Sequence, residues 1–178
     1  MYGGIHQEFS KYNDILEEIW KEQVEFEKSI FIMMPFKDII GYNETAKIIK
    51  ATCKKRGFKA IRIDDKDRQF HHTLWDNLVI NLLSCKYAIS IYVSDQIVDI
   101  LDKNSPKMFP NPNVALEFGF FTSRGQKILL LRDSNSPIPS DLQGFIWHSF
   151  NINKPGEDVK KAVNSFIDKI SEPKNDQY

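Results

Sequence analysis

One acidic residue, Glu117, stands alone inside an otherwise apolar stretch, NPNVALEFGFF at 111–121. This stretch predicts a helix, because Asn111 can cap its first turn and Pro112 suits the first helical position. Apolar side chains would cover almost the whole circumference of the helix, and such helices are buried. A buried carboxylate is costly unless something compensates it. Glu117 is therefore our candidate for a catalytic carboxylate, either as a nucleophile or as a stabiliser of developing positive charge.

A purely structural role for Glu117 is the alternative that the sequence leaves open. A carboxylate in the early turns of a helix is favoured by the helix dipole. It can also form a buried salt bridge, for which Arg62 and Arg132 are the candidates. Asn113 lies four residues before Glu117 and shares its helical face. We therefore include Asn111 and Asn113 among the candidate substrate-binding residues.

Aspartates follow two of the predicted strands. Asp95 closes the apolar run YAISIYVSD, and Asp64 and Asp65 come at the end of the shorter run KAIRIDD. In parallel sheets with helices on both faces, ligands bind beyond the carboxyl ends of the strands. We predict that Asp95 is a second catalytic residue and that Asp64 and Asp65 contact the substrate. The alternatives are a turn aspartate at position 95 and solvated loop charges at the other two positions.

The first predicted strand, SIFIMMPF, ends in Met34, Pro35 and Phe36. We predict that these three residues line the same site, because they too follow the carboxyl end of a strand. Phe36 can stack on a base or a sugar, or it can pack in the core. Trp75, near a predicted helix start, has the same two interpretations and is included among the substrate-binding candidates.

A regular alternation of strands and helices positions these residues. An amphipathic helix at 6–29 comes first, with apolar residues recurring every three or four positions. Five strands then alternate with four helices, which predicts right-handed crossovers and a mostly parallel sheet with helices on both faces. The fold class is thus α/β, a three-layer flavodoxin-like fold with strand order 2-1-3-4-5 and an extra N-terminal helix. The predicted strands are 29–36, 59–64, 87–95, 127–133 and 147–152, and the later helices are 43–58, 72–85, 113–125 and 156–171.

Three segments follow from this pattern: an N-terminal helical appendage at 1–28, the α/β domain at 29–172 and a tail at 173–178. The appendage can cover the sheet or pair with another subunit. There are 24 basic and 24 acidic residues, and this balance argues against a general nucleic-acid binder. The start of the chain lacks the pattern of a signal peptide, and no apolar run approaches the ~20 residues of a membrane span. We therefore expect a cytoplasmic protein.

Several kinds of site are not indicated. Cys53 and Cys85 make no disulfide framework in a chain of 178 residues and are expected to be buried thiols. His71 and His72 lack the neighbouring ligands of a metal site, so no metal is expected. The chain contains no GxGxxG, GxxxxGK[ST] or GxSxG motif, so neither the usual dinucleotide or P-loop sites nor a hydrolase elbow is indicated.

The chain from 29 to 152 resembles the nucleoside 2-deoxyribosyltransferase-like proteins and the related TIR-like domains of bacterial nucleotide-processing and defence proteins. The resemblance rests on the Pro35-Phe36 step after the first strand, on Asp95 after the third, and on NPNVALEFG followed by GQK and the strand ILLL. It implies that Glu117 acts at the anomeric carbon of a ribosyl group. It also implies that Asp95 contacts the nucleoside and that the loop ending in Phe36 lines the pocket.

The resemblance implies an enzyme that cleaves an N-glycosidic bond, or transfers a ribosyl group, on a nucleoside, a nucleotide or NAD. The carboxylate would act as it does in retaining glycosidases, where it forms a covalent intermediate with the sugar. A second acid that protonates the leaving base is Asp95 or Asp65, whereas a leaving nicotinamide needs no proton because its ring is already cationic. No cofactor is expected, because NAD would be a substrate. The resemblance also implies a homo-oligomer that is active in bacterial defence or nucleotide signalling.

The sequence departs from the deoxyribosyltransferases in one respect. Those enzymes place the aspartate of the third strand a few residues before the glutamate, whereas here an insertion from Gln96 to Pro110 separates Asp95 from Glu117. The insertion can reshape the pocket or act as a lid. It makes NAD an alternative substrate, since TIR-type NADases also carry a catalytic glutamate. The alternative function is a module that binds a nucleotide signal, or assembles through homotypic contacts, without turnover. A third hypothesis is a scaffold whose N-terminal helix forms the interface.

Overall fold

The structure is a computed structural model, and it describes residues 7–23, 25–36, 40–97, 108–138 and 142–172. Its strands are β1 (Ser29–Met33), β2 (Lys59–Ile61), β3 (Tyr87–Tyr92), β4 (Ser94–Ile97), β5 (Met108–Pro110), β6 (Ile128–Asp133) and β7 (Trp147–Phe150). Five of them form an all-parallel sheet in the order β2-β1-β3-β6-β7. This order confirms the predicted 2-1-3-4-5 sheet. The tail at 173–178 and most of the insertion, at 98–107, lie outside the described residues.

The helices lie on both sides of the sheet. They are α1 (Asn13–Glu22), α2 (Ile40–Lys55), α3 (Leu74–Leu83), α4 (Pro112–Ser123) and α5 (Gly156–Ser171), with short 3-10 turns at Gln7–Tyr12 and Phe26–Lys28. Side chains alternate between the faces of β1, so Ile30 and Ile32 pack in the cluster that includes α2 and α5. Phe31 and Met33 pack in the opposite cluster, with α1, α3 and α4. Every residue of β1 is therefore buried, as its continuous apolar run predicts.

The start of α2 differs from the prediction. The helix begins at Ile40, three residues before the predicted start at position 43. Tertiary packing accounts for the difference, because Tyr42 is buried in the core and Gly41 comes very close to the chain after β7. A Cβ atom on Gly41 would lie 2.4 Å from the carbonyl oxygen of Ile152.

The N-terminal helix is shorter than predicted, since it ends at Glu22, and it covers the sheet. Leu16 and Ile19 are buried in the cluster shared with α3 and α4. Trp20 Nε1 donates to the carbonyl oxygen of Ser84 at 3.1 Å. The Tyr12 hydroxyl donates to the carboxylate of Asp76 in α3.

A buried arginine joins the turn after β2 to α3. Arg68 is fully inaccessible to solvent. Its Nε donates to Asn81 Oδ1 at 2.8 Å, its Nη2 to Ser84 Oγ at 2.7 Å and its Nη1 to Gln23 Oε1 at 3.0 Å. All three acceptors are neutral, and burial lowers the pKa of the guanidinium.

The strand predicted at 87–95 is broken in two. The parallel strand β3 ends at Tyr92, and β4 begins a separate two-stranded antiparallel sheet with β5. The register shifts between Ser94 and Gln96, so Asp95 lies at an irregularity of this small sheet. The two strands bring the ends of the insertion together just before α4.

Candidate functional site

Glu117 lies in the second turn of α4, whose start is defined by local hydrogen bonding. The Asn111 side chain accepts from the backbone N–H of Asn113 at 2.9 Å, and Pro112 occupies the first helical position. This is the cap that the sequence predicts. In a right-handed parallel crossover the helix runs antiparallel to the strands, so the first turns of α4 lie at the carboxyl ends of the strands.

The Glu117 flank of α4 faces β1. Phe121, four residues after Glu117 on the same flank, stacks on Phe31 with ring centroids 6.0 Å apart. Glu117 precedes Phe121 by ~6 Å along the helix, and Met33 follows Phe31 by ~7 Å along the strand. Because the two elements run antiparallel, Glu117 lies at the level of Met33, the last residue of β1.

The Glu117 carboxyl group is buried without compensation. Glu117 is 3% exposed, and no hydrogen bond or ion pair joins it to any other described residue. The two arginines considered as partners are engaged elsewhere, Arg62 with Asp64 at 2.7 Å and Arg132 with Ser149 at 3.0 Å. Neither forms the salt bridge of the structural alternative.

The environment of Glu117 changes its charge. Desolvation by burial raises the pKa of Glu117 from 4.5 to about 8, because the charged form is disfavoured in an apolar surrounding. The carboxyl group is therefore mostly protonated at pH 7. A strongly perturbed carboxyl group at the ligand-binding edge of an α/β sheet is a marker of a functional site.

The other predicted residues divide between this edge and other places. Asn113 is exposed beside the cap of α4, and Trp75, 55% exposed, lies in the first turn of the neighbouring helix α3. Phe36, 51% exposed, lies three residues beyond β1. Asp95 follows β3 by three residues, and only its backbone is described. These four positions share the carboxyl edge of the sheet with Glu117.

Four predicted residues are engaged in the fold. Met34 packs in the core cluster on the α2 and α5 face, across the sheet from Glu117, and Pro35 is buried. Asp64 accepts from the guanidinium of Arg62. Asp65 accepts from the backbone N–H of Arg62 at 2.9 Å and pairs with a lysine of α2. Both aspartates thus hold the turn after the edge strand β2.

Residues 30–152 match the family described as "CAP12/Pycsar effector protein, TIR domain". The match spans well over half of the chain. The chain belongs to this family. Its TIR domain therefore comprises the whole parallel sheet and α2, α3 and α4.

One solved structure supports the fold of this TIR domain. The CMP N-glycosidase BcmB of Clostridium botulinum aligns with a TM-score of 0.51 and 14% identity, over 78% of this chain and 99% of that one. The constitutive lysine decarboxylase of E. coli aligns with a TM-score of 0.44 and 14% identity, over 80% of this chain and 17% of that one. At 14% identity the likeness to BcmB is one of fold. None of the curated proteins compared with the chain matches it.

The two cysteines of the described part of the TIR domain are not candidate nucleophiles. Both thiols are buried, and desolvation raises the pKa of Cys53 to about 12 and that of Cys85 to about 11. Neither is a thiolate at neutral pH. No cluster of three metal-ligating side chains occurs among the described residues. None of the helices in the described ranges is long and apolar enough to cross a membrane.

A cavity on the other flank of α4 was not predicted from the sequence. It measures about 260 Å³ and lies between α4 and strands β3, β6 and β7. Ala115 and Phe118 line it, and Glu117 does not. The only sequence signal is the polar side chain of Ser90, which interrupts an otherwise apolar strand. The TIR domain therefore has two distinct features along one helix, the isolated carboxyl group and this cavity.

Proposed function

We propose that this TIR domain cleaves the N-glycosidic bond of a nucleotide, with Glu117 as the carboxylate that reacts at the anomeric carbon. The observation that carries the proposal is a glutamate buried at the carboxyl edge of the sheet with no partner among the described residues. The family assignment and a fold like that of a CMP N-glycosidase support the same class of reaction. Asp95, at the same edge, is the candidate for a second acid.

The protonation state of Glu117 favours a substrate with a cationic ring. An N-glycosyl pyridinium such as NAD brings a positive charge, which lowers the pKa of a neighbouring carboxyl group. Glu117 then releases its proton to solvent, and a carboxylate oxygen forms a bond to the anomeric carbon. The glycosidic C–N bond breaks and its electron pair neutralises the pyridinium nitrogen. Water then hydrolyses the ribosyl ester, so the products are nicotinamide and ADP-ribose.

A neutral base imposes a further requirement. Cytosine or adenine leaves poorly as an anion, so its departure needs a proton donor. Asp95 is the proposed donor on such a substrate, because Asp65, the other acid considered, is held by a lysine of α2 and the backbone of Arg62. The two substrate types therefore differ in their pH dependence. The kcat/KM for NAD should increase as the pH rises through about 8, because Glu117 of the unliganded domain must ionise. Cleavage of a neutral base needs ionised Glu117 and a protonated acid together, so its rate should pass through a maximum and then decrease.

The test is chromatography of the purified chain incubated separately with NAD, CMP and a panel of nucleosides. Glu117→Gln is the test variant, and Glu44→Gln, an exposed glutamate in α2, is the matched control. Release of a base by the wild type and by the control, with a loss of at least about a hundredfold in Glu117→Gln, is the expected result. Equal release by Glu117→Gln would refute the role of this carboxylate. Binding without any product, retained in Glu117→Gln, would favour nucleotide sensing instead.

A further inference from the structure

We propose that the cavity between α4 and strands β3, β6 and β7 is a binding site for a small, neutral, planar heteroaromatic ring of the nucleobase type, distinct from the Glu117 site. The proposal does not depend on catalysis by Glu117. It rests on the position of the cavity, the shape and chemistry of its walls, two hydroxyl groups and its size.

The cavity and Glu117 lie on different flanks of one helix. Successive residues of an α-helix are ~100° apart, so Ala115 points ~160° away from Glu117 around the axis. Glu117 shares the flank that faces β1. Ala115 and Phe118 instead line the cavity with Leu130 of β6 and Trp147 of β7, on the other side of β3. Val114, Phe118 and Ala115, the lining residues from α4, lie ~60°, ~100° and ~160° from Glu117 around the axis. A ligand in the cavity therefore meets a flank of the helix about a quarter-turn from the carboxyl group.

The walls of the cavity suit a flat ring. The rings of Tyr92 and Trp147 meet edge to face, with centroids 5.3 Å apart and planes at 73°. Phe118 forms the helix side and is itself held edge to face by Phe145 at 5.4 Å. Trp147 is fixed because its Nε1 donates to the carbonyl oxygen of Leu142 at 3.1 Å. A planar aromatic guest can gain stacked and edge-on contacts with all three rings.

Two hydroxyl groups on the sheet side of the cavity can form hydrogen bonds with a polar edge of the guest. Ser90 and Tyr92 line the cavity, and they are 1% and 5% exposed. Neither hydroxyl has a hydrogen-bond partner among the described residues. Both hydroxyls are therefore free to bond to a guest. Each can donate to a ring nitrogen or carbonyl oxygen and accept from a ring N–H, so a heteroaromatic edge can bond to both.

The charge and volume of the cavity further limit the class of ligand that it can bind. No carboxylate is among its lining residues, and Arg132, which pairs with Tyr92 across the strands, lies beyond Leu130 on the same face of β6. A cationic ring is therefore disfavoured. The volume of about 260 Å³ lies just below the ~300–1,000 Å³ of typical ligand pockets. It is suited to one base and too small for a dinucleotide.

The test uses cytosine, uracil and adenine as probes, titrated into the purified chain up to millimolar concentration and followed by ligand-observed NMR. Ala115→Leu places a larger side chain at the edge of the cavity from an exposed helical position. Ala51→Leu, the same change at an exposed position of α2, is the matched control. Tyr92→Phe removes one hydroxyl while keeping the ring.

We expect at least one base to bind the wild type, Ala51→Leu and Glu117→Gln with equal affinity. Ala115→Leu should weaken that binding at least tenfold, and Tyr92→Phe should weaken it several-fold. Absence of binding by all three bases would overturn the proposal, and so would equal affinity in Ala115→Leu. Loss of binding in Glu117→Gln alone would place the base at the Glu117 site and would also overturn it. Failure of base release in the chromatographic assay leaves these expectations unchanged.

Discussion

Replacing Glu117 by glutamine should make the domain more stable at neutral pH, and the gain should increase with pH. The amide is close in shape to a protonated carboxyl group and carries no charge at any pH. The wild-type side chain must instead lose its proton in an apolar, unpaired environment when the pH rises. The substitution thus removes the ionisation and leaves the packing of α4 almost unchanged.

The magnitude follows from the two pKa values of the Glu117 carboxyl group, 4.5 when exposed and about 8 in the folded domain. Between these values the unfolded state is ionised while the folded state retains its proton, so the free energy of unfolding falls as the pH rises. At about 1.4 kcal/mol per pH unit, the destabilisation is about 1 kcal/mol at pH 5, about 3 at pH 7 and about 4 at pH 8. Above pH 8 it approaches a constant value.

The assay is urea unfolding of the wild type and Glu117→Gln at intervals from pH 5 to pH 8.5. The difference between the two free energies of unfolding should grow by about 3 kcal/mol from pH 5 to pH 8. Near pH 7 it corresponds to a rise of roughly 6–12 °C in melting temperature. Glu44→Gln, at an exposed position, should follow the wild type throughout.

Parallel curves for the wild type and Glu117→Gln would refute this reasoning. That result would mean that Glu117 has a polar or cationic partner in solution and is not desolvated. A less stable Glu117→Gln protein at pH 8 would mean that the carboxylate forms a favourable interaction there. Either outcome would also remove the physical basis for placing the reactive group at Glu117.

Three further predictions concern stability and local order. Gly41→Ala should destabilise the domain by about 1–3 kcal/mol in urea unfolding, because its methyl group would overlap a carbonyl oxygen. The methyl group of Gly119→Ala meets nothing within 4 Å, so this change should stabilise α4 by roughly 0.5–1 kcal/mol. Equal effects of the two substitutions would contradict this geometry. Arg68→Met should destabilise by at least about 2 kcal/mol, since two buried acceptors, Asn81 and Ser84, lose their donor; an unchanged urea midpoint would show that water replaces the guanidinium. Asp76→Asn should speed amide hydrogen exchange in α1 but not in α5, because the Tyr12 hydroxyl loses a charged acceptor; unchanged exchange in α1 would show that apolar packing alone holds the helix.

The sheet was predictable because each strand has a strong local signal. Runs such as SIFIM and ILLL are apolar on both faces, and the helices between them fix the parallel order. The burial of Glu117 was predictable from the apolar residues around it, but the helix is not buried on all sides, since Leu116 is 50% exposed. Its cap was predictable because Asn111 and Pro112 act locally.

Features that depend on distant partners were not predictable. The engagement of Asp64 and Asp65 depends on Arg62 and on a lysine of α2, and nothing in the spacing of these residues indicates it. The pairing of β4 with β5 joins the two ends of a polar, proline-containing insertion. The sequence of this insertion has no repeating pattern of apolar residues that would predict a strand. The cavity depends on the meeting of Ser90 with side chains from two later strands and from α4.

The docking of α1 on α3 has a consequence for the synthesis of the chain. Trp20 and its hydrogen-bond partner are 64 residues apart. At ~5–20 residues per second, the ribosome needs roughly 3–13 s to make the intervening segment. During that time the surface on which Leu16 and Ile19 pack in the folded domain is incomplete, because α3 has not yet been made. A nascent chain that stalls before α3 therefore displays an amphipathic helix with an open apolar stripe, which is the kind of surface that chaperones bind and that aggregates when they are absent.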